Sequence, residues 1–320
     1  MKYFCDLCGS EDSSFYFSNF DRMLKIKADY SIYKCKKCGL LSIFPCPTRD
    51  ELNPHYNPNE YSVLKGTKTE KKMRMAYNLF QLVYYHVTII YPNFYIFNSV
   101  LNNSIGPLFR TIKYKDNGRI LDIGCGIGDF LLITKYLGMN SYGVEPGDFD
   151  HSLSSHHNLE IFNGTLLEAK YDSNFFDVIT INHVLEHVNN PSEYLAEMYR
   201  ILKPGGTLII GVPISDGLAF KLFGKYWSQL DTPRHIYIFS KKNLESYAKK
   251  FGFKIARIRY NSTPTFQFIF SLIYFLEANL GIRCTRSIAF NPIINLLLVP
   301  LSSLLNILSL GDQCEMILIK

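Results

Sequence analysis

Several things are missing from this sequence, and each absence removes a class of function. Across 320 residues there is no run of five or six like charges, which excludes the basic or acidic tails that bind nucleic acid through charge alone. The formal net charge is only +6, and the densest cations near the start, Lys34, Lys36 and Lys37, read as a solvated face. The opening Met1-Lys-Tyr-Phe-Cys5 lacks the charged, apolar and small-residue regions of a secretory signal, so a reducing, cytoplasmic location is expected, where eight cysteines are not a disulfide framework. Asp, Glu, Lys and Arg are absent from two long stretches, Met75 to Phe109 and Ser287 to Gly311. The first is crowded with Tyr and Phe and is expected to be helical, broken at Pro92. Tryptophan occurs once, at Trp227.

What is present begins with core-forming capacity: 47% hydrophobic residues suit one main domain with attachments. Cys5-x-x-Cys8 and Cys35-x-x-Cys38, each followed by glycine (Gly9, Gly39), have the spacing of two metal knuckles. Four thiolates leave no open coordination position, so the predicted zinc ion is structural. The intervening Ser-Phe-Tyr-Phe and Tyr-Ser-Ile-Tyr stretches can supply hairpins. Cys46, Cys125, Cys284 and Cys314 lack such spacing and read as apolar fillers.

The richest segment is Arg119-Ile-Leu-Asp-Ile-Gly-Cys-Gly-Ile-Gly-Asp129, an apolar strand running into a glycine hook that opens a helix. Gly124, Gly126 and Gly128 let the backbone turn tightly and approach a ligand. A dinucleotide fingerprint needs glycine or alanine where Asp129 stands, and a carboxylate there would repel a diphosphate. Asp122 suits a ligand carrying an amine. Glu145 ends a second strand, Ser141-Tyr-Gly-Val-Glu, where a doubly wound sheet places an acid on ribose hydroxyls. Further on come Leu185-Glu-His187, after a strand from Asp177, and Leu202-Lys-Pro-Gly-Gly206 before another.

Those four motifs, in this order over residues 117 to 260, resemble class I S-adenosylmethionine-dependent methyltransferases. The resemblance implies an α/β fold: a Rossmann-like, seven-stranded, mostly parallel sheet with helices on both faces. Strands are expected near 119–123, 141–145, 160–163, 177–182, 207–212 and 254–260, with an antiparallel seventh in Cys314–Lys320. The divisions are a zinc-ribbon module at 1–47, a linker with the aromatic segment at 48–116, and the main domain at 117–320 with an apolar helical insertion at 262–312. That insertion and residues 213–239 leave from the carboxyl edge of the sheet, where they would roof a ligand, joined by residues 75–109. Pro292, Pro300 and asparagines interrupt the insertion, which argues for a substrate cap or peripheral contact with a membrane's inner face over a span.

By the same resemblance Asp122, Gly124, Gly126 and Gly128 would surround the methionine part of S-adenosylmethionine and Glu145 the ribose. Gly164, Thr165 and Leu166 would edge the adenine, and Asn182 with His183 would lie beside the methyl group. Asn182-His183 is not Asn-Pro-Pro-Tyr, which argues against methylation of a base amine. In the similar ubiquinone-pathway O-methyltransferases an acid stands at the position of His183 and joins a Glu-His pair in a metal site; whether His183, Glu186 and His187 hold a metal stays open. His187 and His235 are the candidate bases, each with a purely structural alternative. Arg234 could face a sugar-nucleotide phosphate, and Trp227 is a stacking platform or a roof anchor.

The leading expectation is methyl transfer to oxygen or carbon of a small molecule: a sugar, nucleotide-sugar or lipid-linked glycan precursor. The zinc module before this core is similar to that of nucleotide-sugar C-methyltransferases, although their large C-terminal domain is missing here. An RNA methyltransferase guided by the ribbon is the alternative, disfavoured by a roof that is greasy and not basic. A non-catalytic scaffold is the third, opposed by the intact hook and Glu145.

Overall fold

In the computed structural model the described residues are 2–56, 110–147 and 152–320. Tyr61, the aromatic stretch at 75–109 and its Pro92 lie outside them. The main sheet has seven strands: β4 (Arg119–Ile123), β5 (Asn140–Glu145), β6 (Glu160–Asn163), β7 (Phe176–Asn182), β8 (Leu202–Pro213), β10 (Lys254–Tyr260) and β11 (Gln313–Ile319). Their spatial order is β10-β11-β8-β7-β4-β5-β6. β4 to β8 run parallel, and β11 is antiparallel to both its neighbours. β4 and β7 are nearly continuous apolar runs because helices cover both faces of the sheet, which leaves no solvent face to be polar.

Local signals set the helix ends. The helix Asp129–Tyr136 opens at Gly128, φ 94°, a left-handed conformation suited to glycine. Pro191 starts Pro191–Ile201, and Ser240 caps Lys241–Lys250 through a reciprocal box with Asn243. Strand order reverses between β4 and β7, so a crevice opens at their carboxyl ends, directly over the glycine hook. The strand expected at 207–212 is longer: it begins at Leu202, because Phe176 pairs with Leu202 and the Gly205 and Gly206 backbones bond to Lys320. The supposed turn is edge pairing with the C-terminal strand.

A second sheet has the order β1 (Ser13–Asp21), β2 (Ile26–Cys35), β3 (Leu41–Ile43) and β9 (Tyr237–Ile238). Its fourth strand comes from the far part of the chain. Cys35 and Leu40 share one core with Leu121, Ile179 and Phe239. The first knuckle docks through Asp6, which accepts from the Tyr247 hydroxyl (2.6 Å) and the Ser192 hydroxyl (2.8 Å). The Asn243 side-chain amide reaches the Cys38 carbonyl at 3.0 Å. A boundary at residue 47 therefore separates no two hydrophobic cores.

The two roof segments pack on each other. Tyr226 meets Phe275 edge-on at 5.6 Å and donates to Asn279 at 3.2 Å. Trp227 is 1% exposed and its indole N–H donates to Asp312 at 2.6 Å, which makes it a roof anchor, not an open platform. Burial pushes the Asp312 carboxyl up to about 6. The apolar insertion is helical at Phe270–Asn279 and Pro292–Ile307. Among the described residues no helix is long and apolar enough to cross a membrane. Cys125 and Cys314 are buried fillers, whereas Cys46 is exposed and fills nothing.

Asp177, at the start of β7, binds Lys115 (2.5 Å), Lys203 (2.8 Å) and the Arg119 amide (2.9 Å). Burial raises its carboxyl, but these donors outweigh burial and hold it down at about 2. The contribution is present above the unfolded value of about 4 and is lost as pH falls through the folded one. Asp177→Asn is expected to cost about 1 kcal/mol at pH 7, since both lysines are partly solvated. Urea unfolding at pH 7 and near pH 3 checks this: the gap between wild type and variant narrows in acid.

Candidate functional site

The hook lies where β4 ends. Gly124 and Gly126 have φ of 71° and 55°. A Cβ on Gly124 would come within 2.2 Å of Val184, whereas one on Gly126 would meet nothing within 4 Å. The backbone at Gly126 therefore borders open space. Glu145 reaches across from β5 and accepts from the Gly126 and Gly147 amides, both at 2.9 Å. A carboxylate offers about four lone-pair sites. Two remain for a diol, and the two amides fix the direction in which they point.

A second group of polar side chains forms beside the end of β7. His183 adopts φ 56°, and its amide donates to the Gly211 carbonyl at 2.8 Å. Gly211 is needed there, since a Cβ would strike the Asn182 side chain at 2.0 Å. Gln313 donates to His183 Nε2 at 2.9 Å, which leaves its Nδ1–H facing Glu186 at 3.3 Å. Glu186 is fully buried, and hydrogen bonds reach neither of its oxygens. Burial would raise its carboxyl, but His183, His235 and His187 hold it down at about 2. The backbone explains the meeting: the amides of Ile236 and Tyr237 both donate to the Glu186 carbonyl, at 2.8 and 3.1 Å.

His187 and His235, forty-eight positions apart, are thereby stacked edge to face with ring centroids 4.6 Å apart. His187 Nδ1–H donates to the Arg234 carbonyl (2.9 Å) and His235 Nδ1–H to the Gln229 carbonyl (2.7 Å). Each ring is thereby oriented through its Nδ1, and His235 Nε2 faces the Glu186 and Asp231 carboxylates at 3.8 and 3.9 Å. Burial and the neighbouring His235 lower His187 to about 4, so it is neutral at pH 7. One ligand atom each from Glu186, His187 and His235 lie within 4.8 Å of one another. Two imidazole nitrogens, each fixed by a carbonyl on its other nitrogen, and one orphaned carboxylate are a donor set that fits a divalent ion.

Residues 104–258 match the family model described as a methyltransferase domain, just under half of the chain. That segment is thus similar to methyltransferase domains. It is similar to demethylmenaquinone methyltransferase of Listeria welshimeri, 27% identical over 156 residues, which cover 44% of this chain and 63% of that protein. It is also similar to the ubiquinone/menaquinone biosynthesis C-methyltransferase UbiE of Geotalea daltonii, 31% identical over 139 residues, 38% of this chain and 58% of that one. The chain thus spans less than two thirds of the curated relatives it matches. A SAM-dependent methyltransferase from Archaeoglobus fulgidus superposes at 19% identity and TM-score 0.45, covering 69% of this chain and 92% of its own.

Within the matched segment several expected site residues have other side-chain partners. Asp122 is 1% exposed and locked by the Arg110 guanidinium (2.5 and 3.1 Å) and the Thr180 hydroxyl (2.7 Å), so its charge does not face a ligand amine. Arg110 and Thr180 carry no motif signal that would have found them. The Thr165 side chain is occupied in a capping box with Glu168, and the Leu166 side chain is fully buried. Gly164 stays beside Glu145, its amide donating to the Glu145 carbonyl at 3.0 Å. The histidine–glutamate group includes His235 in place of His183 as third ligand candidate.

Arg234 is not available to a phosphate. It is fully buried, pairing with Asp21 (2.8 Å) and Asp231 (2.5 Å) and donating to the His55 carbonyl (2.8 Å). His55 in turn lies 2.7 Å from Asp21. Arg234→Ala would leave two buried carboxylates without their shared cation and is expected to cost about 3–5 kcal/mol. Chemical denaturation measures it, and Asp21→Asn in the same background should recover part of the loss.

Proposed function

We propose that this chain is an S-adenosylmethionine-dependent methyltransferase acting on oxygen or carbon of a small molecule, a sugar, nucleotide-sugar or lipid-linked glycan precursor. The observation that carries the reading is the hook itself: open space over Gly126, with Glu145 oriented by two backbone amides to take a ribose diol. Asp129, standing where a dinucleotide fingerprint has its third glycine, points away from nicotinamide cofactors. When bound, the sulfonium supplies an activated methyl group, and the protein's remaining tasks are alignment and one proton. Asn182 and His183 end β7 beside the crevice; Gly124, Gly126 and Gly128 wall it.

Sugar-nucleotides become weaker candidates within this class, because the arginine that would have met their phosphates is consumed in buried ion pairs. RNA is weaker still, since the roof stretch Ser287 to Gly311 offers its phosphates no cation. His187, half-buried with a free Nε2, is the better placed of the two bases to take the acceptor's proton, and His235 supports it from behind. A second reading of the trio, a divalent metal centre that polarises the acceptor oxygen, is favoured by the buried Glu186 carboxylate, which faces His183 and His235 but accepts no well-formed hydrogen bond.

The ribbon belongs to the same proposal. Cys5 and Cys38 sulfurs lie 3.5 Å apart, Cys8 and Cys35 3.6 Å, and all four fall within 4.8 Å. A tetrahedral zinc with bonds near 2.3 Å spaces its sulfurs by roughly 3.8 Å. The Cys5–Gly9 and Cys35–Gly39 backbones make matching knuckle bonds at 2.8 and 2.9 Å. Zinc here would be structural.

Calorimetric titration with S-adenosylmethionine is the primary test, followed by release of S-adenosylhomocysteine on pooled lipid-linked glycans, quinones, nucleotide-sugars and RNA. Glu145→Ala is expected to weaken cofactor binding by about ten- to a hundredfold, the loss of charge-assisted hydrogen bonds; unchanged affinity would refute the ribose assignment. Elemental analysis of the purified protein separates the readings of the trio. One metal equivalent, lost in Cys8→Ser, leaves His187 as base, whereas a second equivalent lost in Glu186→Gln makes the trio a metal centre.

A further inference from the structure

The helix Pro292–Ile307 is built inside out. Its polar side chains face the protein: Asn306 donates to the Ser262 carbonyl (3.0 Å) and accepts from the Ser262 amide (3.1 Å). Asn295 donates to the Ala289 carbonyl at 2.7 Å and accepts from the Thr265 hydroxyl, and Ser302 is 3% exposed. Its aliphatic side chains face outward. Ile293, Leu296, Leu297, Leu301, Leu304 and Ile307 are 45–73% exposed and recur at three- and four-residue steps, one continuous stripe. Of 21 large hydrophobic residues exposed in the described chain, 13 fall between Leu272 and Leu308. A helix packed for water has the opposite polarity, and an apolar area of this extent marks an interaction face.

The chemistry of the stripe selects the partner. It offers aliphatic carbon without the Tyr, Trp or Arg anchors that carry most protein interfaces. Hydrocarbon asks for no hydrogen bonds, and the helix exposes no polar side chain along the stripe. Exposed cations lie on the segments that pack with the first insertion helix, Phe270–Asn279, or leave from it: Lys221 and Lys225 on the roof segment, Lys25 on the β1–β2 turn and Arg283 in the loop that leads to the second helix. That turn is tied down by Arg286, which donates to the Arg22 and Met23 carbonyls. Glu277 is the single acid from Ser262 to Gly311, and Lys25 lies 4.0 Å from it. At 16 residues the helix is about 24 Å long, short of the ~30 Å hydrocarbon core.

We infer that this face seats in the interfacial layer of an anionic bilayer, with the Pro292–Ile307 helix lying flat at the boundary between headgroups and acyl chains. The cations contact headgroup phosphates. β10 delivers the chain into this insertion at the carboxyl edge of the sheet, the edge that also carries the hook, so the lipid surface lies on the side from which a ligand enters. The seating does not depend on the methyl-transfer reading.

The test is co-sedimentation of the full chain with vesicles of phosphatidylcholine alone and of phosphatidylcholine mixed with phosphatidylglycerol. Wild type is expected to bind the mixed vesicles at least about tenfold more tightly, each cation near the surface contributing about 1 kcal/mol, and to lose that preference at high salt. Leu296→Lys with Leu297→Lys, both at exposed positions, should abolish binding while far-ultraviolet circular dichroism and S-adenosylmethionine calorimetry stay unchanged; Leu167→Lys, exposed elsewhere, should bind as wild type does. Absence of wild-type binding overturns the proposal, as does undiminished binding by the double variant. A wild-type dimer in sedimentation velocity that falls apart in the double variant also overturns it, since a second copy would then cover the stripe.

Discussion

The guanidinium of Arg234 has no contact with water, and most of what surrounds the candidate site depends on the way its charge is met. Asp21, at the end of the first hairpin, supplies one carboxylate and Asp231 the other, while the His55 carbonyl takes a further donor. Burial opposes the charge, but the two acids outweigh it and shift the guanidinium further from deprotonation. An unpaired cation in this position would be prohibitive, so the N-terminal hairpin, the segment around His55 and the roof loop can occupy only one relative arrangement. The carbonyl of the same Arg234 receives the proton on His187 Nδ1. One residue thereby seats the cysteine-bearing module and sets the tautomer of a site histidine.

This coupling changes how the N-terminal module is understood. A ribbon tethered by a linker would be free to carry its own ligand; here β9 completes its sheet, and Asp6 and the Cys38 carbonyl are held by helices that flank the seven-stranded sheet. The module is a wall of the site. It reaches the candidate site through backbone pairing, since the amides that follow His235 bond to the Glu186 carbonyl. The site is therefore bounded by the sheet edge, by the ribbon, and by a roof whose outer surface is aliphatic.

Much of the main sheet is legible in the amino-acid sequence. The hook, Glu145 and the last strand are each encoded within a few residues, because a left-handed glycine, an apolar run and a capping serine dictate backbone geometry locally. The reversal of strand order that opens the crevice also follows from the family pattern. Side-chain roles are less legible. Asp122 has the position of a ligand contact beside the hook, yet Arg110 and Thr180 neutralise it; Thr165 is a helix cap and Leu166 a core residue. Their neighbours in space are distant in sequence or carry no motif.

The sequence by itself determined the α/β architecture, the glycine turn over which a cofactor can lie and the two cysteine knuckles, since each depends on torsion angles and spacings inside a short window. Only the tertiary structure decided that Arg234 is an internal clamp, that His235 joins Glu186 and His187, and that the last long helix turns its asparagines inward and its leucines out. Those outcomes follow from which groups lose water together when remote segments meet, and no local pattern carries that information.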